Sequence, residues 1–194
     1  MNIEKAEELV DRGDFDAIVM GRPFLADPDV VNKAEAGKAS TIRPCVGCNA
    51  KCLDMAMVSK PIGCIGNYEC NREEELEDEN GLMPTEKKSE HPEKILVIGA
   101  GPSGMEFARV AALRGHKVTI WEKRNRTIGL SLYAATPPRR YDIRYFGQWL
   151  ERTCRELGVE IILNKEATAE DIIAASKDYD RVVLACGSKA SIPP

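Results

Sequence analysis

The sequence predicts an α/β fold with a parallel sheet in the second half of the chain. An apolar strand, Ile95–Ile98, leads through a glycine-rich turn into a helix that runs from about Gly101 to Arg114. Gly115 ends that helix, and a second apolar strand follows at Val118–Trp121. A strand, a crossover helix and a second strand in this order form a βαβ unit, in which the two strands lie parallel.

The turn after the first strand has the spacing of a dinucleotide-binding fingerprint. Gly99, Gly101 and Gly104 give the pattern GxGxxG, and Glu122 closes the next strand 18 residues beyond Gly104. The three glycines serve a tight turn, close approach of a pyrophosphate to bare backbone, and close packing of helix on strand. Glu122 would accept a hydrogen bond from a ribose hydroxyl. The pattern predicts a Rossmann-like site for FAD or NAD, against the alternatives of a coincidental glycine-rich turn and a solvated carboxylate.

The rest of this half continues the alternation of helices and strands. An apolar stripe predicts a helix that Gly158 ends, and a capping box of Thr168 and Asp171 predicts the start of a helix that runs through Ala175. The stripe consists of Ile143, Phe146, Leu150, Cys154 and Leu157. Strands are expected at Val159–Leu163 and Arg181–Ala185.

The N-terminal segment predicts a helix followed by one strand. Ile3 to Arg12 has helical spacing, and Gly13 stops it. Ala17–Met20 is a short unbroken apolar run bounded by Gly21, which is typical of a parallel strand covered on both faces.

Four cysteines are spaced to serve one metal centre. Cys45, Cys48, Cys52 and Cys64 lie in a segment, residues 41–70, that is rich in proline and glycine and needs a metal to order it. The spacing favours an iron–sulfur cluster, because structural zinc usually takes two CxxC pairs and only the first pair here has that spacing. Zinc and inert cysteines are the alternatives, and Cys70 could replace Cys64 as the fourth ligand.

Composition excludes two classes of partner. The net charge is −4 and the pI about 5.4, so neither nucleic acid nor an anionic membrane finds a basic surface. The charged N-terminus lacks the apolar stretch of a signal peptide, and cysteines kept for a metal suit a reducing compartment. We therefore expect a cytoplasmic protein.

Residues 71–93 are polar and acidic, which predicts a solvated linker.

Three motifs in this order resemble one family. They are the run Gly21-Arg22-Pro23-Phe24-Leu25-Ala26-Asp27-Pro28, the run Ile42-Arg43-Pro44-Cys45-Val46-Gly47-Cys48-Asn49, and the dinucleotide fingerprint. Together they are similar to the NADH:flavin oxidoreductase family that includes 2,4-dienoyl-CoA reductase and trimethylamine dehydrogenase. In that family a TIM barrel like that of Old Yellow Enzyme carries FMN, a 4Fe-4S loop follows it, and an FAD- or ADP-binding domain comes next.

The resemblance implies a role for each motif residue. The cluster ligands would be Cys45, Cys48, Cys52 and Cys64, and the adenosine-diphosphate part of FAD would lie on the glycine turn and Glu122. The segment Ala185-Cys186-Gly187 would touch the same cofactor. Gly21 and Arg22 would hold the FMN phosphate, as loops near strands 7 and 8 of such barrels do; an ordinary surface arginine is the alternative for Arg22.

Two segments depart from the family pattern. Ile128-Gly129-Leu130 stands where the family usually has Ile-Gly-Gly, and Gly66-Asn67-Tyr68-Glu69-Cys70 replaces the usual Asn-Pro segment after the fourth cysteine.

The predicted domains are a C-terminal remnant of the FMN barrel at 1–40, the 4Fe-4S loop at 41–70, the linker at 71–93 and a partial FAD-binding domain at 94–194. A complete barrel needs about 250 residues, so the chain is expected to be a fragment.

The family's activity is an electron relay. Electrons pass between NAD(P)H, FAD, the cluster and FMN, and the FMN reduces an enoyl or enoate double bond or, in amine dehydrogenases, takes electrons from the substrate; enoyl or enoate reduction is the expected parent activity. The barrel's proton donor and substrate pocket are absent, so no catalytic residue is named, and the expected partners are the missing barrel or a second copy of the chain. The alternatives are a non-catalytic FAD and iron–sulfur module that docks on a separate subunit, and a zinc-stabilised nucleotide-binding regulator.

Overall fold

The computed structural model describes residues 3–188, and these form two compact units that divide between Met83 and Pro84. The division lies inside the acidic segment 71–93. Residues 189–194, the end of the predicted FAD-binding domain, lie outside the described part of the chain. No helix among the described residues is long and apolar enough to cross a membrane.

The first unit is built from short helices and loops. Its α-helices are α1 (Ile3–Asp11), α2 (Gly21–Ala26), α3 (Val30–Glu35), α4 (Leu53–Met57) and α5 (Glu73–Leu76), with a 3₁₀ helix at Ala39–Thr41. Helix α1 packs against α3, with Ala6 and Val30 buried. The rest of the unit, including the cysteine segment, is mostly turns and loops.

The strand predicted at Ala17–Met20 is wrong. These residues are irregular and lead directly into α2, which begins at Gly21, and Val19 is 96% exposed. A parallel strand needs a neighbouring strand to pair its N–H and C=O groups. The described residues of this unit contain no strand, so the apolar run has nothing to pair with.

The second unit is an α/β fold with a parallel four-stranded sheet, as the sequence predicts. Its strands are β1 (Lys94–Ile98), β2 (Lys117–Trp121), β3 (Glu160–Ile162) and β4 (Arg181–Leu184), in the order β3-β2-β1-β4. Its helices are α6 (Pro102–Leu113), α7 (Ser131–Ala134), α8 (Tyr141–Glu156) and α9 (Ala169–Ala175). All three strand pairs are parallel, and Ile98 is paired with Trp121 on one side and Leu184 on the other.

Strand β1 is apolar from Ile95 to Ile98 because both of its faces are covered there. Ile95 and Val97 pack into a core with residues of α6 and α8, whereas Leu96 and Ile98 face a second cluster that includes Ala175 of α9. A central parallel strand needs this continuous run, since alternation with polar residues would bury them. The consequence is a rigid β1, whose carboxyl end carries the glycine turn.

The predicted capping box at the start of α9 is confirmed. The Asp171 N–H donates to Thr168 Oγ1 at 3.1 Å, and the Thr168 N–H donates to Asp171 Oδ2 at 3.0 Å. The Asp171 carboxylate accepts both the Thr168 N–H and the Thr168 hydroxyl, and these two hydrogen bonds lower its pKa. Aspartate therefore serves in a position where glutamate is usual.

Candidate functional site

The glycine turn of the second unit connects β1 to α6 at the carboxyl edge of the sheet. Gly99 has φ +109°, and a Cβ there would overlap the carbonyl oxygen of Ala185 at the end of β4. A Cβ at Gly104 would overlap the carbonyl oxygen of Gly99. Both positions therefore require glycine for packing, which matches the tight turn and the close helix approach that the sequence predicts.

Gly101 is different because it faces open space. A Cβ at this position would meet no other atom within 4 Å, and Gly101 lines a cleft above the sheet. It is also the N-cap residue of α6, with Pro102 as the first helical residue, and no described side chain caps this helix end. The positive end of the helix dipole therefore faces the cleft, which suits an anion such as a pyrophosphate.

Glu122 holds the turn from the neighbouring strand. Its side chain is buried, with 6% exposed, and Oε2 accepts the Ala100 N–H at 2.8 Å while Oε1 accepts the Arg124 N–H at 2.9 Å. A solvated carboxylate at this position is therefore excluded. Each carboxylate oxygen can accept a second hydrogen bond, so Glu122 keeps capacity for a ribose hydroxyl.

The cleft is large enough for an extended cofactor. Its volume is about 660 Å³, and its lining includes Gly99, Gly101, Glu122 and Gly187. Gly187 has φ +75° and lies just beyond β4. On the side of Glu122 the wall carries Trp121, whose ring lies under the Lys165 ammonium at 3.7 Å from nitrogen to ring centroid. This volume is in the range of small-molecule and cofactor sites.

A segment that the sequence marked only as a departure touches the turn directly. The Ile128 N–H donates to the Ala100 carbonyl at 2.8 Å, and a Cβ at Gly129 would lie 3.2 Å from the Gly101 Cα. Gly129 and Leu130 line the cleft. The departure in the motif therefore lies on the cofactor side of the unit.

The four predicted cluster cysteines line one small cavity in the first unit. Cys45, Cys48 and Cys52 reach it from one stretch of chain and Cys64 from a second. Cys70 is not part of the lining and is buried. Its burial raises the pKa of its thiol, and the nearby Cys64 raises it further. In residues 3–188 no three histidine, cysteine or carboxylate side chains already have the arrangement that holds a metal ion.

Backbone features shape the cysteine loop. Asn49 has φ +60° and its carbonyl accepts the Asp54 N–H at 3.1 Å, which turns the chain between Cys48 and α4. The Gly47 N–H donates to Cys45 Sγ at 3.4 Å, and the Gly63 N–H donates to the Lys51 carbonyl at 2.9 Å. The last bond brings the stretch that ends in Cys64 beside the first three cysteines.

Arg22 lies at the cysteine cavity. Its Nη1 donates to Asn49 Oδ1 at 2.8 Å, and the side chain is part of the cavity lining. Gly21 is the first residue of α2, and a Cβ there would meet nothing within 4 Å. The expected grip of Gly21 and Arg22 on an FMN phosphate stays a prediction.

A buried hydrogen-bond network ties the α2 segment to the cysteine loop. Asp27 is 3% exposed, and its Oδ2 accepts the Lys33 ammonium at 2.6 Å and the Arg43 N–H at 2.8 Å. The Arg43 guanidinium donates to the Gly66 carbonyl at 2.9 Å, and Asn67 Nδ2 donates to the Leu25 carbonyl at 3.2 Å. The sequence showed these residues only as parts of family motifs and gave no sign of their pairing.

The chain matches one family model and several known proteins. The family model described as pyridine nucleotide-disulphide oxidoreductase matches residues 45–193. A metal reductase of Desulforamulus reducens is 47% identical over 191 residues, which cover 97% of this chain and 27% of that protein. A cinnamate reductase of Clostridium sporogenes is 38% identical over 187 residues, which cover 95% of this chain and 26% of the relative.

One solved structure matches nearly the full length of the chain. A 2-naphthoyl-CoA reductase in complex with 2-naphthoyl-CoA is 34% identical with a TM-score of 0.86, over 98% of this chain and 28% of that one. The chain thus spans between 26% and 28% of the length of these relatives. The matches confirm the resemblance to the NADH:flavin oxidoreductases that the three sequence motifs indicated.

Proposed function

Because this chain belongs to the pyridine nucleotide-disulphide oxidoreductase family, we propose that it carries the FAD and 4Fe-4S section of an electron relay. In this proposal the second unit binds the adenosine-diphosphate part of FAD, and the cysteine loop of the first unit binds a 4Fe-4S cluster. Electrons would pass between NAD(P)H, FAD, the cluster and an FMN on a barrel, and the whole enzyme would reduce an enoyl or enoate double bond.

The main support for the relay is that the four cysteine side chains predicted as cluster ligands line a single cavity. Thiolates from one compact loop are the usual ligands of an iron–sulfur cluster, and a hydrogen bond such as that from Gly47 to Cys45 Sγ is of the kind that tunes its potential. The donor set therefore fits the cluster. Cys70, the fifth cysteine of residues 41–70, has no place in the cavity lining, and the proposal leaves it out of the ligand set.

The residues of the cleft also fit FAD. Gly101 leaves space beside the α6 N-terminus for the pyrophosphate, and Glu122 offers carboxylate lone pairs to a ribose hydroxyl while its negative charge disfavours a 2′-phosphate. When bound, FAD accepts a hydride from a nicotinamide, and an iron–sulfur cluster carries single electrons. This chain's own residues bind and orient these groups, and none of them is assigned a proton-transfer role.

The direction of the reaction rests on the relatives and the resemblance. The names of the cinnamate reductase and of the 2-naphthoyl-CoA reductase both denote reduction of an unsaturated carboxylic acid or its CoA ester. The FMN site at Gly21 and Arg22 comes from the resemblance, as does the docking of a barrel. A cytoplasmic location belongs to the same proposal, because the cluster thiols need a reducing compartment.

Anaerobic purification of the full chain tests the proposal. We expect about four iron atoms per chain with matching sulfide, as four cysteine ligands of a 4Fe-4S cluster require. Extraction should also release FAD. Zinc without iron or flavin would contradict the relay and leave a metal-stabilised nucleotide-binding protein.

Cysteine variants sharpen the same experiment. Cys52→Ser should lose most of the iron, because it removes a thiolate from the cavity. Cys186→Ser is the matched control for iron content alone, since this exposed cysteine belongs to the other unit and lines the cleft there. A comparison of Cys64→Ser with Cys70→Ser decides the fourth ligand: we expect iron loss with the first only, and the reverse would show that Cys70 is the ligand.

A further inference from the structure

Ile128 has a backbone conformation that its side chain disfavours. Its φ is +74°, in the left-handed region, and its side chain is buried. A β-branched residue is a true outlier there, and such a conformation persists only where the surrounding structure imposes it. The contacts of Ile128 and its neighbours therefore show what imposes it.

On one side Ile128 is packed into helix α8. A Cβ on Gly147 would lie 2.5 Å from Ile128 Cγ2 and 2.8 Å from Cδ1, so only glycine leaves room for this side chain. Glycine is a poor residue for the interior of a sixteen-residue helix. The requirement for Gly147 therefore comes from Ile128 and not from the helix.

The residue before Ile128 is held by the same helix. Thr127 is 5% exposed, and its hydroxyl donates to Glu151 Oε2 at 2.7 Å. Glu151 lies four residues after Gly147, so both contacts are on one face of α8. Helix α8 thus grips two consecutive residues of the segment Thr127–Gly129, which we name the strap.

The other side of the strap contacts the glycine turn. The Ile128 N–H bonds the Ala100 carbonyl, and Gly129 lies so close to Gly101 that a Cβ would come within 3.2 Å of the Gly101 Cα. Gly101 is the residue that faces the open cleft. The strap therefore connects α8 to the backbone where a pyrophosphate would approach.

We propose that α8 is a positioning element for the dinucleotide, acting through Gly147, Ile128 and the strap on the glycine turn. Neither Gly147 nor Ile128 lines the cleft, so both act through other residues. The inference deepens the proposed function and rests on it. It assigns a role in FAD binding to two residues, nineteen positions apart in sequence, that do not line the cleft themselves.

The test is the variant Gly147→Ala in the full chain, measured as the dissociation constant for FAD added to the apoprotein. We expect binding about tenfold weaker than in the unmodified chain, because a displaced strap loosens the support of the turn. The matched control is Gln148→Ala, the exposed neighbour in the same helix, which should bind FAD normally. The double variant Gly147→Ala with Ile128→Gly should bind FAD better than Gly147→Ala alone, since it removes the three colliding side-chain carbons.

Amide hydrogen exchange of the apoprotein gives a readout independent of FAD. Peptides that cover Gly99 to Met105 should exchange faster in Gly147→Ala than in Gln148→Ala. If the unmodified chain binds no FAD, the proposed function fails, and this exchange still decides whether α8 positions the turn. Normal FAD affinity in Gly147→Ala, or unchanged exchange at the turn, would overturn the inference.

Discussion

The two units hold their candidate sites by different means. In the second unit a parallel sheet with cores on both faces fixes the carboxyl end of β1, and the cleft forms on that rigid edge. In the first unit the cysteine cavity lies among loops held by hydrogen bonds such as those of Asp27 and Arg43. A site built on a packed core is formed before its ligand binds, whereas a loop site depends on polar bonds and, we propose, on its metal.

The largest expected effect tests the packed core. Leu150 of α8 is 0% exposed in the cluster that covers one face of the sheet. Leu150→Ala should lower the free energy of unfolding by about 2–5 kcal/mol, through lost burial and the cavity left behind. Urea denaturation followed by circular dichroism measures this change.

The control is a residue of leucine's size on the exposed side of a helix. Ile173 of α9 is 67% exposed, and Ile173→Ala should change the free energy of unfolding by no more than about 0.5 kcal/mol. Equal losses for Leu150→Ala and Ile173→Ala would show that the second unit does not derive its stability from this core.

The next effect tests the polar network of the first unit. Asp27→Asn removes a carboxylate that accepts both the Lys33 ammonium and the Arg43 N–H. We expect a loss of about 1–3 kcal/mol in the unfolding free energy, because the Lys33 ammonium and the Arg43 backbone N–H are left with a weaker acceptor in a buried position. Iron retention after purification should fall in parallel, since Arg43 lies two residues before Cys45.

The matched control for Asp27→Asn is Asp29→Asn, two residues along the same loop. Asp29 is exposed, and its carboxylate accepts a hydrogen bond from Asn32 Nδ2 at 3.2 Å. It should leave both stability and iron content close to those of the unmodified chain. Loss of iron in both variants to the same degree would mean that the buried network has no special part in supporting the cysteine loop.

A smaller effect concerns the turn between Cys48 and Cys52. Asn49 has φ +60°, which alanine disfavours by about 1–2 kcal/mol and glycine does not. Asn49→Ala should therefore destabilise the loop and slow cluster assembly more than Asn49→Gly does. Both variants lose the hydrogen bond from Arg22, so the difference between them measures the effect of the positive φ alone. Equal rates of cluster assembly, measured by the visible absorption of the cluster, would contradict this prediction.

The local patterns of the second unit were readable from the sequence, and the contacts between distant segments were not. The βαβ unit, the glycine turn and the Thr168 capping box each depend on neighbouring residues, so spacing alone located them. The strand expected at Ala17–Met20 failed because an apolar run forms a strand only beside another strand. The positive φ of Ile128 and its need for Gly147 depend on a tertiary contact that no local pattern encodes; a glycine in the interior of the α8 stripe was the one available signal.

The smallest expected effect is the pH dependence of the bond between the strap and α8. Burial alone would raise the pKa of Glu151, but hydrogen bonds from Thr127 and Arg155 outweigh it and lower the pKa below the ordinary 4.5. The ionised carboxylate therefore stabilises the folded chain above about pH 4.5, and this contribution is lost as the pH falls through the lowered value. Because Glu151 is 31% exposed, we expect less than about 1 kcal/mol.

That contribution is measured as a difference between variants, because other carboxylates with lowered pKa values also titrate in this range. The free energy of unfolding is compared for the unmodified chain and Glu151→Gln from about pH 6 to about pH 3.5. The stability advantage of the unmodified chain should shrink as the pH falls, since glutamine keeps the shape of the side chain and has no charge to lose. An advantage that stays constant across the range would show that the charge of Glu151 does not hold the strap, and the grip of α8 would then rest on the packing of Ile128 against Gly147 alone.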